Sequence, residues 1–104
     1  MGNYYVLAVA DGLGGHAAGE VASAIAISAL KDAMQDCDSP KIALENAVLT
    51  ADKQIRAQSE QYMERRGMAT TLIAACVDDD LNCTVLNVGD SRALIITSDR
   101  SESI

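Results

Sequence analysis

The chain has 104 residues, 49% of them apolar, and a formal net charge of −7, so it is long enough for one compact domain and no more. The acidic balance argues against a nucleic-acid partner, because nucleic-acid phosphates require clustered Lys and Arg, and the longest basic run here is Arg65-Arg66. We also expect no membrane partner, since no stretch approaches the ~20 consecutive apolar residues that a spanning helix needs.

The first half of the chain predicts a buried strand, a glycine-rich loop and two helices. The continuous apolar run at residues 4–10 is typical of a strand that is buried on both faces. Four glycines within residues 11–19 predict a loop that can adopt positive φ. Good helix formers predict a helix over about residues 17–36. Ser39 is a suitable cap for a second helix over about residues 40–63, which begins with a proline.

The second half predicts three consecutive strands, at residues 69–77, 83–88 and 92–97. The polar segment 78–82 separates the first two strands. Its three aspartates could hold a cation, but a solvated hairpin turn is the favoured interpretation. Gly-Asp-Ser at residues 89–91 separates the second strand from the third. Because short links join these strands, we expect them to pair antiparallel.

This order of elements predicts an α+β fold, in which an antiparallel sheet carries an antiparallel helix pair on one face. The other face of the sheet is expected to be apolar too, because both alternating sets within residues 72–77 are apolar. A two-layer domain would leave one of these faces in water. We therefore expect either an oligomer formed through this sheet face or a further part of the protein that covers it.

Three cysteines bear on the cellular compartment. An odd number without a Cys-x-x-Cys pair argues against a disulfide framework and against a zinc site. Cys76 and Cys83 lie in apolar runs, so we expect both to be buried thiols of a reduced, cytoplasmic protein.

A carboxylate at the end of a buried strand, followed by glycine, suits a divalent cation. Asp11 can supply one hard oxygen and the Gly12 carbonyl another, although Asp11 could instead cap the loop that leads into the helix. His16, the single histidine, could exchange protons near neutral pH or have a structural role at the helix start. Asp90 could bind a metal, pair with Arg92 or bond within its own turn, and the spacing by itself favours the turn.

Three segments together resemble signature motifs of the metal-dependent, type 2C serine/threonine protein phosphatases, in particular their bacterial and archaeal branch. Residues 11–16, DGLGGH, resemble the DGMGGH motif, and the similarity continues through residues 17–23. Residues 67–72, GMATTL, resemble the GMGTTL segment, and residues 87–92, NVGDSR, match another signature. The motifs occur in the family's order, and the resemblance extends over about residues 4–97.

The resemblance implies a partial type 2C phosphatase domain over residues 1–104, equivalent to half of the family's four-layer αββα sandwich. In the family, two Mn²⁺ or Mg²⁺ ions, and in some members a third, lie between the sheets. They activate a water that attacks phosphoserine or phosphothreonine in phosphoprotein substrates. By this resemblance the catalytic residue Asp11 bridges both ions, the Gly12 carbonyl binds one of them, and Asp90 helps to hold the third.

The chain also departs from the family pattern. Leu13 occupies the position where eukaryotic members carry a proposed general acid, so His16 is only a possible acid or base, and Ala69 replaces a family glycine. The family's other metal ligands and its phosphate-binding arginine lie outside this stretch, so we expect the chain to be inactive alone. The alternatives are a non-catalytic, phosphatase-like interaction or sensor module and, third, a nucleotide binder that uses the glycine loop.

Overall fold

The computed structural model describes residues 3–35 and 37–103. Strand β1 is Tyr4–Val9, β2 is Gly12–Leu13, helix α1 is Ala18–Met34 and helix α2 is Pro40–Gln61, followed by a short 3₁₀ turn at Met63–Arg65. The remaining strands are β3 (Ala69–Thr70), β4 (Leu72–Asp78), β5 (Cys83–Val88), β6 (Leu94–Ile96) and β7 (Ser101–Ser103). None of the described helices is both long enough and apolar enough to cross a bilayer.

The main sheet is antiparallel and has three strands in the order β1-β4-β5, so β4 lies in the centre. The pairing of β1 with β4 runs from Tyr4 opposite Asp78 to Val9 opposite Ile73. The two short strands β2 and β3 pair separately, with Gly12 opposite Thr70. The α+β class and the antiparallel sheet predicted from the sequence are confirmed.

The helix pair covers one face of this sheet and contacts it through small side chains. The main core cluster contains Leu30 of α1, Leu44 and Ala47 of α2, and Ala74 and Cys76 of β4. These side chains are all short or aliphatic, so the helices can approach each other and the sheet closely.

The two helices run antiparallel, as predicted. Leu30 near the end of α1 packs with Leu44 near the start of α2, whereas Ala22 near the start of α1 shares a cluster with Ile55 near the end of α2. The hydroxyl of Ser39 caps α2 by accepting the N–H of the third helical residue at 3.5 Å, which satisfies one of the free donors at the helix start.

The second face of the sheet is apolar and lies open, also as predicted. Tyr5, Leu7 and Val9 project from β1 on this side, and each is exposed by about two thirds (68%, 65% and 66%). The register places these side chains opposite alternate residues of β4, from Val77 to Ile73. The part of this face that β1 and β4 form is therefore a continuous apolar surface.

The prediction that residues 92–97 form a further strand next to β5 is wrong. Within this stretch the strand is limited to β6. It pairs with β7 as a separate two-stranded sheet, with Leu94 opposite Ser103. The turn at residues 89–91 begins with Gly89 at φ 111°. Beyond it, β6 pairs with the nearby β7 through a local turn, in which the N–H of Thr97 donates to the Arg100 carbonyl at 2.8 Å.

The expectation of two buried thiols is half right. Cys76 is buried in the core, and burial raises the pKa of its thiol. Cys83 is exposed, because it pairs with Val77 at the start of an edge strand, on the side of the sheet that carries no helices. An apolar run in the sequence could not distinguish the two faces.

Leu44 offers a test of the core. It is 2% exposed, whereas Leu49 on the same helix is 65% exposed. We expect Leu44→Ala to lower the free energy of unfolding by about 2–5 kcal/mol, because it leaves a cavity between α2 and the sheet. The matched change Leu49→Ala should alter it by less than about 0.5 kcal/mol. Urea denaturation followed by circular dichroism measures both, and equal effects would contradict this packing.

Candidate metal centre

Asp11 lies two residues beyond the end of β1, and it is exposed. Val9 pairs with Ile73 and Gly12 pairs with Thr70 in one unbroken register. This register places Asp11 directly opposite Thr71, the residue between β3 and β4. Asp11 thus stands at the break between the main sheet and the short β2–β3 pair.

Two hydrogen bonds join the main chain of Asp11 to Thr71, and each residue donates one of them. The N–H of Thr71 donates to the Asp11 carbonyl at 3.0 Å. The N–H of Asp11 donates to the Thr71 hydroxyl oxygen at 3.1 Å. The Thr71 carbonyl instead accepts the hydroxyl of Thr70 at 2.8 Å. The backbone that carries the Asp11 carboxylate is therefore held by a side chain as well as by a peptide group.

Gly12 makes a close backbone contact with the first turn of α1. A Cβ built at Gly12 would stand 1.8 Å from the carbonyl oxygen of Gly19, and a Cβ at Gly19 would stand 2.8 Å from the carbonyl carbon of Gly12. Neither position can hold a larger residue without moving the backbone. The glycine after Asp11 thus makes room for the helix, and a metal-binding role of its carbonyl stays a prediction.

The third motif reaches the same threonine. The Ser91 hydroxyl donates to the Thr71 hydroxyl oxygen at 3.3 Å, and Asn87 closes the turn by donating its side-chain N–H to the Ser91 carbonyl at 3.1 Å. A Cβ at Gly89 would lie 2.7 Å from the methyl group of Thr71. The turn that carries Asp90 is therefore packed directly on Thr71.

All three motifs thus converge on Thr71, a residue to which the sequence analysis gave no role. The available signal was the Thr-Thr pair just before an apolar strand, since paired hydroxyls can replace backbone partners where a ladder is interrupted. Neither this role nor the contact between Gly12 and Gly19 can be recognised without the strand register and the helix position.

His16 is exposed and immediately precedes the cap of α1. It has φ 51°, and the cap residue Ala17 has φ 63°, so two consecutive non-glycine residues adopt left-handed conformations. Ala17 provides no side-chain hydrogen bond to the helix. The structure confirms that His16 lies at the helix start, and a role as acid or base stays a prediction.

The donor atoms near Asp11 fit a hard divalent cation in kind but not in number. The carboxylates of Asp11 and Asp90 are exposed oxygen donors, which Mn²⁺ and Mg²⁺ accept. Within residues 3–35 and 37–103, however, no group of three or more His, Cys, Asp or Glu side chains is placed to hold a metal ion. These residues can supply part of a coordination shell.

The aspartates at residues 78–80 form a turn, as the favoured interpretation predicted. The carboxylate of Asp78 accepts the backbone N–H groups of Asp80 and Asn82, both at 2.9 Å, and the side-chain N–H of Asn82 at 3.1 Å. The hydrogen bonds from Asn82 hold the pKa of Asp78 below its ordinary value.

The ion pairs of the described residues join Arg56 to Asp52 and Arg100 to Glu102, so an Asp90–Arg92 pair is not formed there.

Gly89 tests how tightly the third motif is packed on Thr71. We expect Gly89→Ala to lower the free energy of unfolding by about 1–3 kcal/mol, because the new Cβ meets the threonine methyl and the positive φ is strained. Gly67 has φ 75° and nothing within 4 Å of the corresponding position, so Gly67→Ala reports the strain alone and should cost less. Thermal unfolding of both variants provides the comparison, and a larger loss at Gly67 would contradict the packing.

Comparison with known proteins agrees with these motifs. The family model described as "Protein phosphatase 2C" matches residues 1–103. The "Serine/threonine phosphatase stp" of Listeria monocytogenes serotype 4b is 37% identical over 100 residues, which cover 90% of this chain and 39% of that protein. The "Serine/threonine protein phosphatase PstP" of Mycobacterium tuberculosis is 41% identical over 95 residues, which cover 88% of this chain and 18% of that protein.

A solved structure shows the same fold. It is the catalytic domain of a serine/threonine protein phosphatase PstP in complex with two manganese ions, and it matches with a TM-score of 0.80 and 35% identity. The match covers 98% of this chain and 46% of that chain, so the chain spans less than half the length of the relatives that it matches. Because the family model extends over almost every residue, the chain belongs to the protein phosphatase 2C family.

Proposed function

We propose that the protein containing this chain is a metal-dependent phosphatase that hydrolyses phosphoserine and phosphothreonine in phosphoprotein substrates, with Asp11 at its metal centre. One observation carries the proposal. Three motifs that are far apart in the sequence meet at Thr71, beside an exposed carboxylate. A purely structural turn has no need of an exposed carboxylate at the place where three segments meet, whereas a cation site does.

The state of the Asp11 carboxylate supports a ligand role. Its backbone is fixed on both sides by Thr71, while within the described part of the chain no hydrogen bond or ion pair engages its carboxylate oxygens. A carboxylate that stands on a fixed backbone and engages no other group is available to bind a cation. The two manganese ions of the PstP structure make Mn²⁺ the first metal to test, with Mg²⁺ as the alternative.

The chemistry follows from the donor set. Two divalent ions would lower the pKa of a coordinated water and neutralise charge on the phosphoryl oxygens when bound. The residues of this chain would have a positioning task, in which the Asp11 carboxylate would hold the ions and the Gly12 carbonyl and Asp90 would be further donors. His16 is the candidate for protonating the leaving serine or threonine oxygen, because it is exposed and belongs to the same motif as Asp11, and imidazole is a common general acid.

Two further properties belong to this proposal. The three cysteines are free, which supports a reduced, cytoplasmic location. The open apolar face of the sheet supports either an oligomer or coverage by another part of the protein. A non-catalytic interaction or sensor module is the second candidate, because the described residues alone provide too few ligands for a complete metal site.

The metal role of Asp11 is tested in the whole protein. We expect Asp11→Ala to abolish Mn²⁺ uptake in isothermal titration calorimetry and to slow hydrolysis of p-nitrophenyl phosphate by at least about 100-fold, because a metal ligand is lost. Asp52→Ala is the matched control, since Asp52 is an exposed aspartate that pairs with Arg56 on the surface of α2, and it should behave as wild type. Undiminished manganese uptake by Asp11→Ala would refute the proposed site.

The second test separates the enzyme from the interaction module. We expect the 104-residue chain by itself to bind Mn²⁺ weakly and to hydrolyse p-nitrophenyl phosphate no faster than its own Asp11→Ala variant, because its donors form only part of a shell. A clear difference in rate between these two would contradict the incomplete-site argument. A whole protein that binds phosphopeptides but never hydrolyses them would favour the interaction module.

A further inference from the structure

We propose that Thr71 is a positioning residue for the metal centre, and that its hydroxyl sets the orientation of Asp11 and couples it to the turn that carries Asp90. This inference rests on the proposed function and goes beyond it. The hydroxyl oxygen of Thr71 accepts a hydrogen bond from the Asp11 backbone at 3.1 Å and another from the Ser91 side chain at 3.3 Å. One oxygen atom therefore contacts two of the three motifs.

The strand register shows that this arrangement departs from a regular ladder. In an antiparallel pair of the hydrogen-bonded kind, the two facing residues exchange both of their N–H···O=C bonds. Asp11 and Thr71 face each other in this way, and one of the two bonds is regular, from the Thr71 N–H to the Asp11 carbonyl. In the other bond, the Thr71 hydroxyl takes the place of the Thr71 carbonyl.

Thr70 makes the substitution possible. A carbonyl that leaves the ladder needs another donor, because an unsatisfied backbone group costs free energy. The Thr70 hydroxyl donates to the displaced Thr71 carbonyl at 2.8 Å. The two adjacent threonines thus have different roles. The Thr71 hydroxyl accepts the ladder hydrogen bond, and the Thr70 hydroxyl donates to the Thr71 carbonyl that no longer does.

The substitution gives the site a coupling that a regular ladder lacks. The Thr71 hydroxyl meets both Asp11 and Ser91, whereas the Thr71 carbonyl accepts only from Thr70 among the described residues. Gly89 brings that motif close, since a Cβ there would lie 2.7 Å from the Thr71 methyl. The relative placement of Asp11 and Asp90 is therefore controlled through Thr71.

Hydrogen-bond partners behind metal ligands typically affect metal affinity by about 10–100-fold. We expect Thr71→Val in the whole protein to weaken Mn²⁺ binding by about 10-fold in calorimetry without substrate. Thr71→Ser retains the hydroxyl and should remain within about threefold of wild type. The urea midpoint of each metal-free variant is measured in parallel. If Thr71 had a purely structural role, Thr71→Val would lower this midpoint but leave the manganese affinity of the folded protein unchanged.

Ser91→Ala removes the second hydrogen bond of the Thr71 hydroxyl, and we expect it to weaken manganese binding by less than Thr71→Val does. The double variant should be no weaker than Thr71→Val alone, because both changes break one connected set of contacts. If Thr71→Val does not fold, Ser91→Ala decides the matter, and an affinity equal to wild type overturns the proposal.

The remaining outcomes are distinguishable. Wild-type protein that neither binds Mn²⁺ nor hydrolyses phosphate esters overturns the proposed function, and this inference with it. Wild-type protein that does both, together with a folded Thr71→Val variant of equal affinity, overturns only the role of Thr71. A Thr71→Ser variant as weak as Thr71→Val also overturns it, because the hydroxyl would then not be the group responsible.

Discussion

The pair of hydrogen bonds between Asp11 and Thr71 is the constraint on which the rest of the site depends. It joins the end of the first strand to the start of the central strand, at the place where one sheet ends and a shorter ladder begins. Because one of the two bonds uses a side chain, the same threonine can also receive the turn at residues 89–91. Three chain segments thus meet at Thr71, directly beside the backbone of Asp11.

The small residues of the fold serve the same arrangement. Alanines on the facing sides of α1 and α2 are buried, and they allow the helices to lie close to each other and to the sheet. The contact of Gly12 with Gly19 then sets the first turn of α1 directly against the backbone that follows Asp11. The start of α1 therefore packs against the backbone of the candidate metal centre. An aromatic core would have kept these backbones further apart.

Local patterns in the sequence were sufficient for the elements but not for their assembly. The apolar run at residues 4–10 and the Ser39 cap predicted a strand and a helix start, because both signals lie within a few adjacent residues. The pairing of residues 92–97 and the burial of Cys83 were predicted wrongly. The first depends on which strand becomes the partner, and the second depends on which face of the sheet the helices cover. Asp11 was recognisable as a candidate metal ligand from its motif, whereas the hydrogen bonds of Thr71 were not, because a hydroxyl that replaces a carbonyl in a ladder exists only in a particular register.

The pairing of β1 with β4 has a consequence for biosynthesis. The register joins Tyr4 to Asp78, so both helices must leave the ribosome before the first strand meets its partner. Because translation adds about 5–20 residues per second, this apolar segment has no strand partner for several seconds. It bears no charged side chain that would discourage pairing with a neighbouring nascent chain. A helix pair that forms before β4 has emerged would cover one side of this strand during that interval.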